Sequence, residues 1–305
     1  MAWRTLLGLS LGCLWLGASV PGAGAVVGGQ QAAAGQWPFA AALIDASIND
    51  TLSGQICGAV VVSPRLVLTA AHCVTPDGSA RPRRHPLDIV AGRLRLRGAA
   101  AARVHVVSVR IHPQFNPETL ADDLALLELS RSLPAIAGAA TLDDGTVGTS
   151  GAVAGAPGAS ATALGWGSTT ASPEGEFPDA LRQTEIGIEP DSACGAVYGD
   201  GYDTGSMLCA GLPKGGHDTC QGDSGGPLVV TGDTGQPIVV GLTSFGGTCG
   251  QPGAPGAYAR ASVAAGWLAA GGATSADRNM ALPQRRTQLS AVRPIAKPAR
   301  LRSRS

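Results

Sequence analysis

The chain has few of the residues that usually fill large cores or coat soluble surfaces. Aromatic residues make up 4% of its 305 residues and charged residues 14%. No segment recurs at a fixed period, which excludes a repeat array. Beyond residue 25 no stretch approaches the ~20 apolar residues of a membrane-spanning helix, so no span is expected there. No two cysteines have C-x2-C spacing, so no zinc site is expected, nor any other metal.

What is present is glycine, 44 residues of it, between many short apolar runs. That pattern favours strands joined by tight turns over long helices. The length suits one large domain or two small ones packed together. The formal net charge is zero but unevenly spread. Ser275 to Ser305 carries eight Arg and Lys against one acid, Asp277, a net of +7. Val26 to Thr274 holds 13 basic and 21 acidic residues, a net of −8. Of seven cysteines, Cys13 lies in the leading apolar segment; Cys57, Cys73, Cys194, Cys209, Cys220 and Cys249 form an even set. Six free buried thiols would suit a cytosolic protein, whereas disulfides would leave fifteen connectivities open.

The leader argues for disulfides. Arg4, an apolar core from Leu6 to Leu16 and the small residues Ala23-Gly24-Ala25 read as a secretory signal over residues 1–25. The rival reading is a retained anchor. An exported, extracellular chain is expected, in a compartment where disulfides persist. Cleavage after Ala25 leaves Val26-Val27-Gly28-Gly29 as a new N-terminus. Strands are expected at Ala40–Ile44, Cys57–Val62, Leu66–Leu68, Leu87–Leu96, Arg103–Ile111, Leu181–Ile188, Leu228–Val230 and Ile238–Leu242. The Gly/Ala/Ser-rich residues 131–160 read as a linker between halves, and Ala259–Ala270 as a closing helix ended by Gly271-Gly272. A single body over 26–272 is followed by a basic tail, 273–305, too poor in large apolar residues to fold. That tail is suited to anionic polymers; the alternative is a solvated segment that is trimmed.

One stretch concentrates chemistry: Asp218-Thr219-Cys220-Gln221-Gly222-Asp223-Ser224-Gly225-Gly226-Pro227. A serine hydroxyl keeps its proton at neutral pH, so it needs a base and a group that orients the base. Thr69-Ala70-Ala71-His72-Cys73 offers the histidine. Asp122-Asp123 offers two acids at the mouth of an apolar strand, awkward unless one is partnered.

In this order and spacing the motifs resemble the trypsin-like serine peptidases of the chymotrypsin fold. The matching residues are Val26-Val27-Gly28-Gly29, Thr69-Ala70-Ala71-His72-Cys73, Asp123-Leu124-Ala125-Leu126-Leu127, Gly165-Trp166-Gly167, Gly222-Asp223-Ser224-Gly225-Gly226-Pro227 and Ser244-Phe245-Gly246. The resemblance covers roughly Val26 to Ala270. It implies an all-β fold of two antiparallel six-stranded barrels with a short C-terminal helix. It also implies a secreted serine endopeptidase with no cofactor. Protein or peptide substrates and proteinaceous inhibitors would be its partners, and a monomer with no membrane contact is expected.

The resemblance assigns Ser224 as nucleophile, His72 as base and then acid, and Asp123 as the acid that holds His72, with Asp122 turned to solvent or a turn. The N–H groups of Gly222 and Ser224 would form the oxyanion hole. Asp223 would pair with the α-ammonium of Val26. Asp218 would select Arg or Lys between the walls Gly246 and Gly256, and Ser244 and Gly246 would pair with substrate backbone. Implied disulfides are Cys57–Cys73, Cys194–Cys209 and Cys220–Cys249. Phe245 stands where the family usually has tryptophan. Some relatives bind calcium in a first-half loop; Arg93 to Arg103 contains no acid, so no calcium is expected there. Because the signal cleavage site abuts Val26, export itself is expected to generate the active N-terminus. Arg285-Arg286 is a candidate self-cleavage site. Rival readings are a non-catalytic binding homologue and a polyanion-binding protein.

Overall fold

The computed structural model describes residues 26–75, 78, 85–98, 103–146, 153–172 and 175–271. The leader and the whole tail, with its Arg285-Arg286 pair, lie outside the described residues. In chain order the first half holds β1 (Gln30–Gln31), β2 (Ala40–Asp45), β3 (Gln55–Ser63), β4 (Leu66–Thr69), α1 (Ala71–Val74), β5 (Leu87–Ala91), β6 (Val104–Ile111) and β7 (Ala125–Leu129). The second holds β8 (Thr141–Leu142), β9 (Ser160–Gly165), β10 (Arg182–Ile188), α2 (Asp191–Tyr198), β11 (Met207–Gly211), β12 (Pro227–Thr231), β13 (Pro237–Phe245), β14 (Gly256–Arg260) and α3 (Ala261–Ala269).

Strands β2-β3-β4-β7-β6-β5 close one antiparallel barrel. Strands β9-β10-β11-β14-β13-β12 form the second, closed by six β9–β10 pairs from Arg182↔Gly165 to Gly187↔Ser160. This is the expected pair of six-stranded barrels with a short C-terminal helix. Closure leaves no long edge to aggregate. Two short strands lie outside the barrels. The N-terminal β1 crosses to β10, and β8, inside the 131–160 linker, runs parallel to β13.

The scarcity of aromatics has a visible consequence. The barrels are filled by Ala, Val and Leu, with Trp166 and Tyr258 the largest fully buried side chains among the described residues. Small residues let the barrels approach closely. A Cβ on Gly58 of β3 would lie 2.6 Å from Gly226 Cα. Instead Gly58 N–H donates to Ser224 O at 2.7 Å, so the serine turn hangs from a first-barrel strand.

Several elements differ from expectation. The Leu87–Leu96 strand stops at Ala91, because Gly92 turns the chain at φ +69°. The closing helix starts at Ala261, not Ala259. Ala259 and Arg260 instead complete β14, pairing with Met207 of β11 and with Leu242 and Gly241 of β13. Strand β11, buried at all five positions, shows no alternation and was not foreseen. Gly271, at φ +85°, follows α3 where the Gly271-Gly272 stop was expected.

Candidate active site

The short helix α1 follows β4 and places His72 at the junction of the barrels. Its neighbour Cys73 is bonded to Cys57 of β3, Cα–Cα 6.2 Å, which ties the helix to the barrel wall. Asp123, at the mouth of β7, is fully buried. Its carboxylate accepts the His72 backbone N–H at 2.9 Å and meets His72 Nδ1 at 2.7 Å. The Ser244 hydroxyl also donates to it, at 2.5 Å. Burial pulls the His72 pKa down, but the hydrogen bond and charge of Asp123 outweigh it, and the net shift is upward.

Ser224 sits between two left-handed glycines, Gly222 at φ +91° and Gly225 at +77°. In this turn the carbonyls are anchored: Gln221 O accepts Ser168 N–H at 2.7 Å, and Asp223 O accepts Gly226 N–H at 2.8 Å. A trans peptide points its N–H opposite to its C=O. The Gly222 and Ser224 N–H groups therefore face away from these anchors, and neither has a hydrogen-bond acceptor among the described residues. Two free, fixed donors flanking a serine can stabilise an oxyanion. Among the described residues no hydrogen bond joins Ser224 Oγ to His72 Nε2; such contacts are often loose in free enzymes and tighten on substrate.

Beside Ser224 opens a cavity of about 180 Å³, lined by Asp218, Gln221, Ser244, Gly246 and Gly256 among others. A larger hollow of about 470 Å³ lies elsewhere, around Asp143 and Asp233, and includes none of the predicted residues. Asp218 is 8% exposed and accepts Gly250 N–H at 2.9 Å. Burial raises its pKa, against the hydrogen bonds from Gly250 and Thr219. Gly246 and Gly256 face one another: a Cβ on Gly246 would be 3.7 Å from Gly256 Cα. The Cys220–Cys249 bond braces this wall.

Asp223 points the other way, into the protein. It is fully buried, accepting N–H from Gly167 at 2.8 Å and from Cys220 at 2.9 Å. Burial pushes its pKa up to about 7. Val26 is also fully buried, at φ +57°, and Val27 O accepts Asp218 N–H at 3.1 Å. The N-terminal segment thus lies along the same loop that carries Asp218.

Known proteins resemble this chain over most of its length. The family model described as Trypsin matches residues 26–268. The chain is 35% identical over 237 residues to a trypsin of Saccharopolyspora erythraea, covering 77% of this chain and 92% of that protein. It is 34% identical to trypsin-1 of Astacus astacus, over 80% of this chain and 99% of the other, and 32% identical to pig trypsin, over 80% and 94%. The chain belongs to the trypsin family. It is a serine endopeptidase, with all three expected disulfides present.

Several contacts in this trypsin-family site were not read from sequence. Ser244 was expected only to pair with substrate; its hydroxyl also holds Asp123. Gly165 and Gly167 make room for Asp223: a Cβ there would come within 1.9 Å of its Oδ1 and 2.5 Å of its Cγ. The Gly165-Trp166-Gly167 motif was the available signal. Gln55 Nε2 donates to Gly222 O at 2.8 Å, a long-range contact with no local signature. Tyr198 donates to Pro255 O at 2.5 Å and packs edge-on against Phe245 at 5.2 Å, flanking the cavity. Asp122 does not face open solvent; its Oδ1 lies 3.6 Å from the buried His112 Nδ1. Cys57, His72 and Cys73 come close enough for a metal, but both sulfurs are spent in a disulfide and offer no thiolate.

Proposed function

We propose that this trypsin-family peptidase is exported and hydrolyses peptide bonds after Arg or Lys through an acyl-enzyme on Ser224. The observation that carries the specificity is Asp218. It is a nearly buried carboxylate in a cavity that also borders Ser224, and no cation pairs with it among the described residues. An unpaired buried carboxylate is costly, and a guanidinium or ammonium entering between Gly246 and Gly256 relieves that cost.

In this proposal Ser224 Oγ attacks the scissile carbonyl carbon while His72 Nε2 takes its proton. Asp123 keeps the other ring nitrogen protonated and stabilises the imidazolium. The carbonyl oxygen becomes an oxyanion held by the Gly222 and Ser224 N–H groups, each such donor lowering the barrier by roughly 2.7–4 kcal/mol. Collapse expels the amine, which takes the proton back from His72. Water then repeats the sequence on the Ser224 ester. Substrate backbone pairs with Ser244 and Gly246 as an added strand.

Residues 1–25 act as the export signal, 26–272 as the peptidase unit and 273–305 as a basic tail that contacts anionic polymers. The enzyme works as a monomer, with proteinaceous inhibitors as natural competitors. Activation comes when cleavage frees the Val26 α-amine to pair with Asp223, a pair whose disruption costs about 3–5 kcal/mol in comparable buried cases. Support comes from the burial of Val26 and from the contact of Val27 O with Asp218 N–H. Turnover of an arginyl ester by the secreted protein, and its loss in Ser224→Ala, tests the chemistry. An intact, correctly processed protein without turnover would sink it. N-terminal sequencing of secreted Ser224→Ala tests the start at Val26; a start at Gly24 or earlier means an outside activator.

A further inference from the structure

Between β6 and β7 the chain closes a compact loop before it delivers Asp123. Asn116 N–H donates to Ala121 O at 3.0 Å and Leu120 N–H to Asn116 O at 2.8 Å. Two non-glycine residues here are left-handed, Leu120 at φ +59° and Asp122 at φ +52°. The second immediately precedes Asp123. Its carbonyl accepts Leu124 N–H at 2.7 Å, so a three-residue turn is closed around Asp123 itself. A conformation of this kind costs free energy and persists only where surroundings over-determine it.

His112 supplies that constraint. It follows β6, and its backbone N–H donates to Leu124 O at 2.9 Å. Its ring, 7% exposed, packs edge-on against Trp267 of α3 with centroids 5.0 Å apart. Its Nδ1 faces Asp122 Oδ1 at 3.6 Å and has no hydrogen-bond partner among the described residues. A buried, unpartnered ring nitrogen is therefore aimed at the residue whose backbone sets the direction of Asp123. Asp123 must satisfy three donors at once: the His72 N–H, His72 Nδ1 and the Ser244 hydroxyl. A small rotation at 122–123 would loosen all three.

We propose that Asp122, held by His112 against the C-terminal helix, is a positioning residue for Asp123. This rests on the assignment of Asp123 to the triad. Misplacing a catalytic group by about 1 Å can cost roughly 100-fold in rate. Burial pushes Asp122 up, with His112 lowering it and Asp203 raising it, while burial pulls His112 down against the charge of Asp122. Both shifts favour the uncharged form of each partner.

The test compares Asp122→Ala, Asp122→Asn and Asp123→Asn in the processed enzyme on an arginyl substrate. Asp122→Ala is expected to lower kcat by about tenfold or more with KM unchanged. It should also move the rising limb of the pH profile to lower pH, because a displaced Asp123 raises the His72 pKa less. Asp122→Asn tolerates the left-handed backbone and keeps a polar group toward His112, so it restores kcat. Native kcat and an unmoved limb in Asp122→Ala, whatever its Tm, overturn the proposal. If that variant does not fold, His112→Phe keeps the Trp267 contact and is read the same way, with the same limb shift expected and a native profile overturning. Asp123→Asn separates the two assignments. Unimpaired kcat there means that the triad assignment fails; a large loss there beside a native Asp122→Ala overturns the positioning role alone.

Discussion

The chemistry of His72 is set by two opposed effects at one ring. Burial disfavours its charged form, and the Asp123 carboxylate 2.7 Å from Nδ1 favours it more strongly. The proton therefore leaves His72 only above its ordinary value of 6.5, and the free base needed for attack appears as pH rises through that point. The kcat/KM of an arginyl substrate is expected to rise through one ionisation with a midpoint above 6.5. In Asp123→Asn the wrong tautomer is held, and kcat should fall by about 10⁴-fold. Rates across the pH range, for both proteins, check this. The selectivity proposed for Asp218 rests at the same scale on charge. In the proposed reading Asp218→Ser removes a buried partner for the substrate cation, a loss of about 2–5 kcal/mol, so kcat/KM on arginyl substrates should drop by roughly 30-fold or more. Turnover of a small apolar ester by the same variant should be little changed, which separates lost specificity from lost chemistry.

At the scale of elements, the turn after β9 is what lets Asp223 be buried at all. Gly165 and Gly167 leave the volume that its carboxylate occupies, and Gly167 N–H donates to it. Gly167→Ala would place a methyl 2.5 Å from Asp223 Cγ, so Asp223 and the Ser224 turn must shift. A destabilisation of about 1–3 kcal/mol in urea titration is expected, together with lower kcat. The motif was legible in the sequence because residue types at fixed spacing carry it; its reason was not, since Asp223 lies 56 positions from Gly167. The same holds elsewhere. Cys57–Val62 and Leu66–Leu68 read as strands from their apolar, β-branched runs, and β3 and β4 form there. Ala259-Arg260 read as helix because an alanine-rich run has high helix propensity, but pairing with β11 and β13 overrides it. Strand β11 gave no period to read, because both of its faces are covered. Ser244 and Gln55 reach their partners across 121 and 167 positions, a distance that no local pattern reports.

At the scale of the whole molecule, the proposed reading couples N-terminus, pocket and nucleophile through one loop. Asp223 ties these together, and its pKa, pushed up from 3.8 to about 7 by burial, makes the coupling measurable. A raised carboxyl pKa means that the folded state binds the proton more tightly than the unfolded state. With Ala25 still attached to Val26, stability should therefore fall as pH rises from about 4 to about 7. A free Val26 ammonium beside Asp223 would favour the carboxylate and cancel that fall. Tm of Ser224→Ala protein across this range, with and without residues 1–25, checks the sign; Asp223→Asn should flatten the dependence of the longer form. This trypsin-family chain is proposed to attack with Ser224 and to select with Asp218. The most direct measurement is the cleavage-site profile on a peptide mixture digested by the native protein, Ser224→Ala and Asp218→Ser. The native protein is expected to cut after Arg and Lys, Ser224→Ala to leave the mixture intact, and Asp218→Ser to lose the preference for basic residues. Native cuts after aromatic or small apolar residues, or digestion by Ser224→Ala, would contradict it.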